Sequence, residues 1–499
     1  MNGARHSTRK FTAILISGAL TSKLLGFGRE ILMAQVLGAS LVADGFRGAI
    51  TAVMLPLAFL QNETVPAVMI PMHRDALTDG NGPQRLGAMT VAITGIAMIL
   101  MVGLQMLGER AVDALVGGFS AEGRSLTLDF IRIMALGMPA SAMINVLAAG
   151  EIALGRTRLT NIRASILNIA VLMGIALFAL SGNFHTLAWS FSIAFNALGA
   201  WGLYTMWREG VLSFKGLSLS SVLVSGREFF RRLRPLLALP VAEQANVWIE
   251  RLLASRVGTG AVASLDYART LTESALLLIS QPVGLAVLSS HPPKDVGAQI
   301  EAIARPILAL AVPASVFLAM FAPEIVRLVF LRGAFNEHAL FLTSEALRGI
   351  ALGLWAATLG WILIRILNGA GRNFAAATII VCAYLTNIVV NLLTSYLPGA
   401  HEWGTLLLGL GEAARGIVLL AGVMIVLGSR RKLLYLIFLA SFPAALMALF
   451  SWQIHEVVTG PWQRLFAGGF AYLVCLLVSV AMLMPRFYVA AFARLRGRL

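Results

Sequence analysis

The 499-residue chain is read as an all-α polytopic membrane protein. The expected architecture is about fourteen transmembrane helices, in two pseudo-repeated six-helix lobes followed by a C-terminal helix pair. Three observations predict this. Hydrophobic residues make up 58% of the chain and charged residues only 13%, a balance suited to a bilayer rather than to water. Apolar stretches long enough to cross ~30 Å of hydrocarbon as helix recur from end to end. Basic residues gather on alternate turns between those stretches.

Taken in order, the apolar stretches lie near 10–39, 42–72, 85–107, 125–149, 159–181, 186–207, 233–257, 261–290, 304–322, 338–368, 374–397, 403–428, 433–453 and 465–485. The second is interrupted by Asn62, Glu63 and Pro66, which mark an unwound segment or a helix break there. The basic start has no small-residue cleavage site after it, so the first helix is expected to be retained.

A net charge of +15 raises the question of nucleic acid, but its distribution answers it. With the N-terminus inside, inner turns carry Arg74 and Arg85; Arg156, Arg158 and Arg163; Arg208, Lys215, Arg227, Arg231, Arg232 and Arg234; Lys294 and Arg305; Arg372; and Arg430, Arg431 and Lys432. The outer turns hold Arg110, Arg124, Arg327, Arg332 and Arg464. This is the positive-inside pattern, and it places both termini in the cytoplasm with anionic lipid beside the basic turns. Cys382 and Cys475 both fall in apolar stretches, which implies neither a disulfide framework nor a metal knot.

A parallel internal repeat divides the chain. Ala34 and Gly38 precede Asp44 and Arg47, just as Ala254 and Gly258 precede Asp266 and Arg269. A second echo pairs GRTRLTNIRASILNIAVL (155–172) with GRNFAAATIIVCAYLTNIVV (371–390). The repeat gives an N-lobe at 1–209, a basic cytoplasmic connector at 210–232, a C-lobe at 233–428 and a C-terminal helix pair with a basic tail at 429–499. The connector reads in part as an interfacial helix. Parallel repeats are one transporter plan, with the substrate site near mid-membrane.

The charges inside apolar stretches carry the chemistry. Each costs at least ~2.5–3.5 kcal/mol at mid-bilayer, so each needs a partner or a polar cavity. Lys23 and Arg29 lie about 120° apart on an ideal helix, with Gly26 and Gly28 between them as a bend point. A mobile ammonium and a bidentate guanidinium together suit a diphosphate. Asp44 with Arg47, and Asp266 with Arg269, read as i,i+3 pairs, and Glu412 with Arg415 as a structural pair. Glu243 and Glu250 share a helix face with Asn246 nearby, and Asn387 and Asn391 form an i,i+4 stripe. Carboxylate and amide oxygens make an Na⁺ or H⁺ site or, alternatively, interhelical hydrogen bonds. Walker, H-E-x-x-H and C-x-x-C signatures are missing, so no enzyme or bound cofactor is expected.

These same residues carry a resemblance to the MurJ/MviN family of lipid II flippases. SKLLGFGREILMAQVLGAS (22–40) is similar to the family's S-R-x-L-G-F-x-R-[DE] opening, and Asp44 falls at its A-x-D-A-F position. QANVWIE (244–250) resembles Q-x-N-x-x-[IV]-D, LDYART (265–270) resembles L-x-Y-A-x-R-[LI], and VFLRGAF (329–335) resembles F-x-R-G-A-F, the most specific match. The resemblance implies an inner-membrane flippase for an undecaprenyl-diphosphate-linked peptidoglycan precursor, working by alternating access. Lys23, Arg29, Asp44, Glu63 and Arg269 would contact substrate, and Glu250, Asn387 and Asn391 would serve a coupling cation. The partners implied are the glycan lipid, membrane lipids and a cell-wall or polysaccharide polymerase. The chain departs from the family at Leu60 and Gln61, near an expected Arg-Arg pair. That departure keeps open a flippase for another undecaprenyl-linked oligosaccharide. A drug/cation antiporter predicts an acidic cavity, against Lys23 and Arg29, and a membrane-embedded glycan polymerase predicts a large outer loop that the sequence lacks.

Overall fold

The computed structural model describes residues 22–61, 64–289, 296–399, 402–485 and 487. Among these the chain is helical, with no strand. Packing divides it into two compact units, Met1–Thr259 and Gly260–Leu499.

In the first unit, α1 (22–37) ends at Gly38, whose φ of 62° suits glycine alone. Ser40 then opens α2 (Leu41–Gln61) by accepting a hydrogen bond from the Ala43 N–H at 3.3 Å. There follow α3 (Thr64–Thr78), α4 (Gly82–Met106), α5 (Gly108–Val116), α6 (Ala121–Ala135) and α7 (Met138–Ala153). α6 and α7 are bent by 45° relative to each other and are together long and apolar enough for a broken span or a re-entrant loop; Gly137 and Pro139 stand at the bend, where proline removes a helical N–H. α8 (Arg158–Ser181) and α9 (His185–Arg208) pack together as a hairpin. The connector forms α10 (Leu219–Leu233), and a single 3₁₀ turn leads into α11 (Ala238–Val257).

The repeat begins its second lobe at 233, whereas by packing α11 joins the first unit. The Trp248 indole N–H donates to the Ala114 carbonyl at 2.7 Å, and the Gly118 N–H to Ser255 Oγ at 3.1 Å. A Cβ on Gly118 would sit 2.6 Å from the Ser255 carbonyl, so the turn after α5 presses directly on α11.

A buried carboxylate organises the turn into α8. Glu151, on α7, accepts the Leu159 N–H at 2.8 Å and Arg158 Nε at 3.0 Å, satisfying a helix start that has no side-chain cap of its own. Arg158 also binds Glu209, and that hydrogen bond holds the Glu209 carboxyl below its ordinary range.

The second unit contains α12 (Ala261–Ser289), α13 (Val296–Met320), α14 (Ala322–Phe330), α15 (Glu337–Gly369), α16 (Asn373–Thr394), α17 (Gly404–Leu427), α18 (Arg430–Val457) and α19 (Pro461–Leu483). Its tightest seam joins α15 to α17. A Cβ on Gly353 would lie 2.2 Å from Ala413 Cα, and one on Gly409 2.7 Å from the Ala346 carbonyl oxygen. Within lipid, where burying apolar surface gains little, such close backbone approach is what drives helices together. The C-terminal pair α18–α19 rests on α13 through a cluster of Phe321, Met447, Ala471 and Cys475.

Nine helical spans among the described residues are long and apolar enough to cross a membrane, or ten with the bent α6–α7 pair. Each of the fourteen expected stretches contains helix, but the count of fourteen spans exceeds these nine or ten. α11 carries Glu243, Glu250, Arg251 and Arg256, so it is too charged to qualify by composition alone. The first expected stretch, 10–39, lies partly outside the described residues. Two nine-residue helices, α5 and α14, follow α4 and α13 after a single residue and extend the repeat.

The α15–α17 seam makes a direct forecast. Gly353→Leu should lower the thermal unfolding midpoint in detergent, with a destabilisation of about 1–3 kcal/mol or more. Gly469→Leu, where nothing lies within 4 Å of the added carbon, should leave the midpoint unchanged.

Candidate functional site

The mid-helix charges assemble into one cluster per unit, each described on its own. In the first unit, α1 presents Ser22, Gly26 and Arg29 at i, i+4 and i+7, one stripe along its length. That stripe meets Asn168 of α8. Arg29 Nη1 donates to Asn168 Oδ1 at 2.9 Å, and Asn168 Nδ2 donates to the Ser22 carbonyl at 2.9 Å. Arg29 Nε also donates to Glu30 Oε1 at 3.1 Å, while the other carboxylate oxygen of Glu30 receives Arg47 Nη2 from α2. Glu30 is 3% exposed and Arg47 6%. Two guanidiniums thus share one carboxylate, an excess of one positive charge before the buried Asp44 is counted.

The second unit builds the same order of charges from different helices. Arg269 of α12 donates to Glu412 Oε1 at 2.8 Å, and Arg415 Nε donates to Glu412 Oε2 at 2.7 Å. Asp266 lies 3.9 Å from Arg269 Nη1, and the Arg415 guanidinium stands 5.4 Å from the centre of the Tyr384 ring. Arg–Glu–Arg therefore recurs, with the carboxylate on α1 in one unit and on α17 in the other. A buried charge left without its partner costs about 3–5 kcal/mol, so each glutamate fixes two arginines that would otherwise repel.

One turn along α16 from Tyr384, Asn387 and Asn391 are both buried, and Asn391 Nδ2 donates to Asn387 Oδ1 at 2.9 Å. Asn391 Oδ1 and Asn387 Nδ2 have no hydrogen-bond partner among the described residues. α17 passes over them at Gly411, where a Cβ would fall 2.0 Å from Asn391 Oδ1. A buried amide oxygen with an unused lone pair fits a hard cation.

Of the other expected site residues, Lys23 lies exposed on α1. Glu250 is 1% exposed on α11, one turn from buried Asn246. Glu63 lies outside the described residues. At the departure from the family pattern, Leu60 is buried and the Gln61 amide donates to Ser141 Oγ at 2.9 Å, so the interior of α2 there is neutral. The FLRGAF loop is a lock: Gly333 has a φ of 61°, and Phe335 packs at 5.7 Å from both Tyr267 of α12 and Phe330 of α14.

Sequence reasoning passed over Glu30 and Asn168 as site residues. Glu30 was visible as the acidic last letter of S-K-L-L-G-F-G-R-E, and Asn168 as the asparagine of the second repeat echo. Their link to Arg29 depends on α1 and α8 meeting 139 residues apart in the chain.

The comparisons with known proteins agree with one another. A family model described as lipid II flippase MurJ matches residues 33–472. The chain is 24% identical over 343 residues to the probable lipid II flippase MurJ of Aquifex aeolicus, covering 66% of either chain. It is 25% identical over 440 residues to the lipid II flippase MurJ of Burkholderia cenocepacia, covering 83% of either chain. A solved structure described as lipid II flippase MurJ in an inward closed conformation superposes with a TM-score of 0.78 at 16% identity. That match covers 93% of this chain and 98% of the other, and it establishes the fold.

The first cluster makes its own forecast. Glu30→Gln should destabilise the protein by about 3–5 kcal/mol, because Arg29 and Arg47 then face each other without an anion between them. Chemical unfolding followed by intrinsic fluorescence reads the change. Adding Arg47→Met should recover part of the loss, since it removes the surplus cation.

Proposed function

The chain belongs to the lipid II flippase MurJ family, and on that premise we propose that it carries lipid II across the bacterial inner membrane by alternating access. It is a multi-spanning membrane protein, and we read it as a transporter rather than an enzyme, with both termini cytoplasmic. The observation that carries the substrate reading is the Arg29–Glu30–Arg47 cluster: guanidiniums held inside membrane helices by a single carboxylate.

A lipid diphosphate brings negative charge and a row of acceptor oxygens into the bilayer. A guanidinium meets such a group through two parallel N–H bonds, and a carboxylate neighbour keeps it ordered until the anion arrives. Arg29 is the proposed first contact in the first unit, with Lys23 as a mobile second charge and Asp44 and Glu30 as the acids that set the cluster's net charge. Glu63 is carried as a further contact from the family pattern. Arg269 is the proposed cation of the second unit, held ready by Glu412.

A neutral Leu60–Gln61 step leaves the first unit with fewer cations than the family pattern carries, which favours release of the headgroup over tight retention. The alternative cargo, another undecaprenyl-linked oligosaccharide, draws no support from the relatives' names. Coupling to Na⁺ or H⁺ is proposed through oxygen ligands, Glu250 in one unit and Asn387 with Asn391 in the other, each taken separately. A polymerase acting on the flipped precursor is the proposed partner.

Complementation of a strain depleted of its lipid II flippase tests the reading. Wild type should restore growth and Arg29→Ala should not, at equal membrane levels. A well-expressed wild type that leaves the cells to lyse would refute lipid II as the cargo. For the cation, Asn391→Leu in proteoliposomes should raise the Na⁺ concentration needed for half-maximal lipid II translocation by about ten-fold or more. An unchanged Na⁺ dependence would remove Asn391 from the coupling site.

A further inference from the structure

The connector helix α10 carries two unlike faces, and only one is accounted for by the fold. Ser218 starts it firmly: its hydroxyl accepts the Ser221 N–H at 3.1 Å while Ser221 Oγ accepts the Ser218 N–H at 3.0 Å. One face buries Ser225, Gly226, Phe229 and Leu233 against α4 and α3. The other exposes Leu219 by 76%, Leu223 by 62% and Val224 by 66%. Followed in steps of four from Leu219, this outer stripe reads Leu219, Leu223, Arg227 and Arg231, changing from apolar to basic along its length.

The depth of α10 follows from what it touches. The Ser213 N–H donates to the Pro83 carbonyl at 3.0 Å, Arg85 pairs with Glu228, and a Cβ on Gly226 would meet Ala92 Cβ at 3.5 Å. α10 therefore lies beside the first turns of α4, a membrane-crossing helix that begins at Gly82, and is not set apart in the aqueous phase. At that level an exposed leucine stripe meets acyl chains and an exposed arginine meets headgroups.

The charges divide along the same line. Glu228, drawn down by Arg85 and Arg232 against the upward push of burial, is committed to the inner face. The side chains of Arg227 and Arg231 form no ion pair or hydrogen bond among the described residues, and neither do those of Lys215 and Arg234 at the two ends. We propose that the outer face of α10 is a docking surface for anionic phospholipid, with Leu219, Leu223 and Val224 among the acyl chains and Arg227 and Arg231 on the phosphates. Each guanidinium should favour an anionic over a neutral headgroup by about five-fold. The proposal is independent of the flippase reading and requires only that α4 enters the bilayer where α10 lies.

The test uses the full chain with Cys382→Ser, which removes the exposed native thiol, and a fluorophore on Leu223→Cys. The protein is reconstituted into phosphatidylcholine vesicles containing phosphatidylglycerol, with either lipid carrying brominated chains. Brominated phosphatidylglycerol should quench several-fold more than brominated phosphatidylcholine at equal mole fraction, and high salt should narrow the gap. Arg227→Gln with Arg231→Gln should bring the two lipids level while quenching by phosphatidylcholine persists, which also reports that α10 is still in place. Arg232→Gln, whose guanidinium is already engaged by Glu228, should keep the preference. Equal quenching by both lipids in the parent protein would overturn the anionic assignment. Absence of quenching by either would overturn the membrane location.

Discussion

Both charge clusters inside these helices depend on one arrangement: a carboxylate held between two guanidiniums. In a medium where a lone cation is costly, two arginines on neighbouring helices repel at short range. A third charge of opposite sign makes the set tolerable, with Asp44 and Asp266 as a further acid in each unit. Glu30 does this for Arg29 and Arg47, and Glu412 does it for Arg269 and Arg415. The helices must then meet at angles and heights that satisfy those bonds, so the clusters govern packing as much as they await an anion. The glycines at 38, 258 and 260 turn the chain sharply enough for the next helix to bring its D-x-x-R within reach.

The repeat was legible because it is written locally. Gly38 with Asp44 and Arg47, and Gly258 with Asp266 and Arg269, are short-range patterns that survive at matched positions in both units. The bridging carboxylates were not legible in the same way. Glu30 is adjacent to Arg29 and reads as a letter of the motif, while its bond to Arg47 spans a turn whose geometry the sequence leaves open. Glu412 reads as the i,i+3 partner of Arg415, and nothing local announces that Arg269, 143 residues away, shares it. Hydropathy also left short helices in the turns between its stretches. α5 and α14 are amphipathic and one residue removed from a long span, so a window of membrane length averages them away.

Small residues at 349, 353, 409 and 416 allow backbone contact between α15 and α17, and a substitution there would be felt along the whole seam. Aromatic residues at 267, 330 and 335 close the N-terminal end of α12 against α14 and the turn before α15. They hold the frame in which Arg269 can find Glu412.

α17 is gripped closely on two flanks, by backbone on one and by side chains on the other. On one side Gly409 and Gly416 lie against the α15 backbone; on the other Gly411 and Gly422 lie against Asn391 and Ile379 of α16. A helix keyed this way resists rolling about its own axis, because rotation would press its Cα atoms into the α15 backbone. It retains freedom only along its length, like a bolt in a slot. Any exchange of Glu412 between Arg269 and another charge must therefore come from axial sliding of α17, or from α12 moving past a rigid three-helix plate.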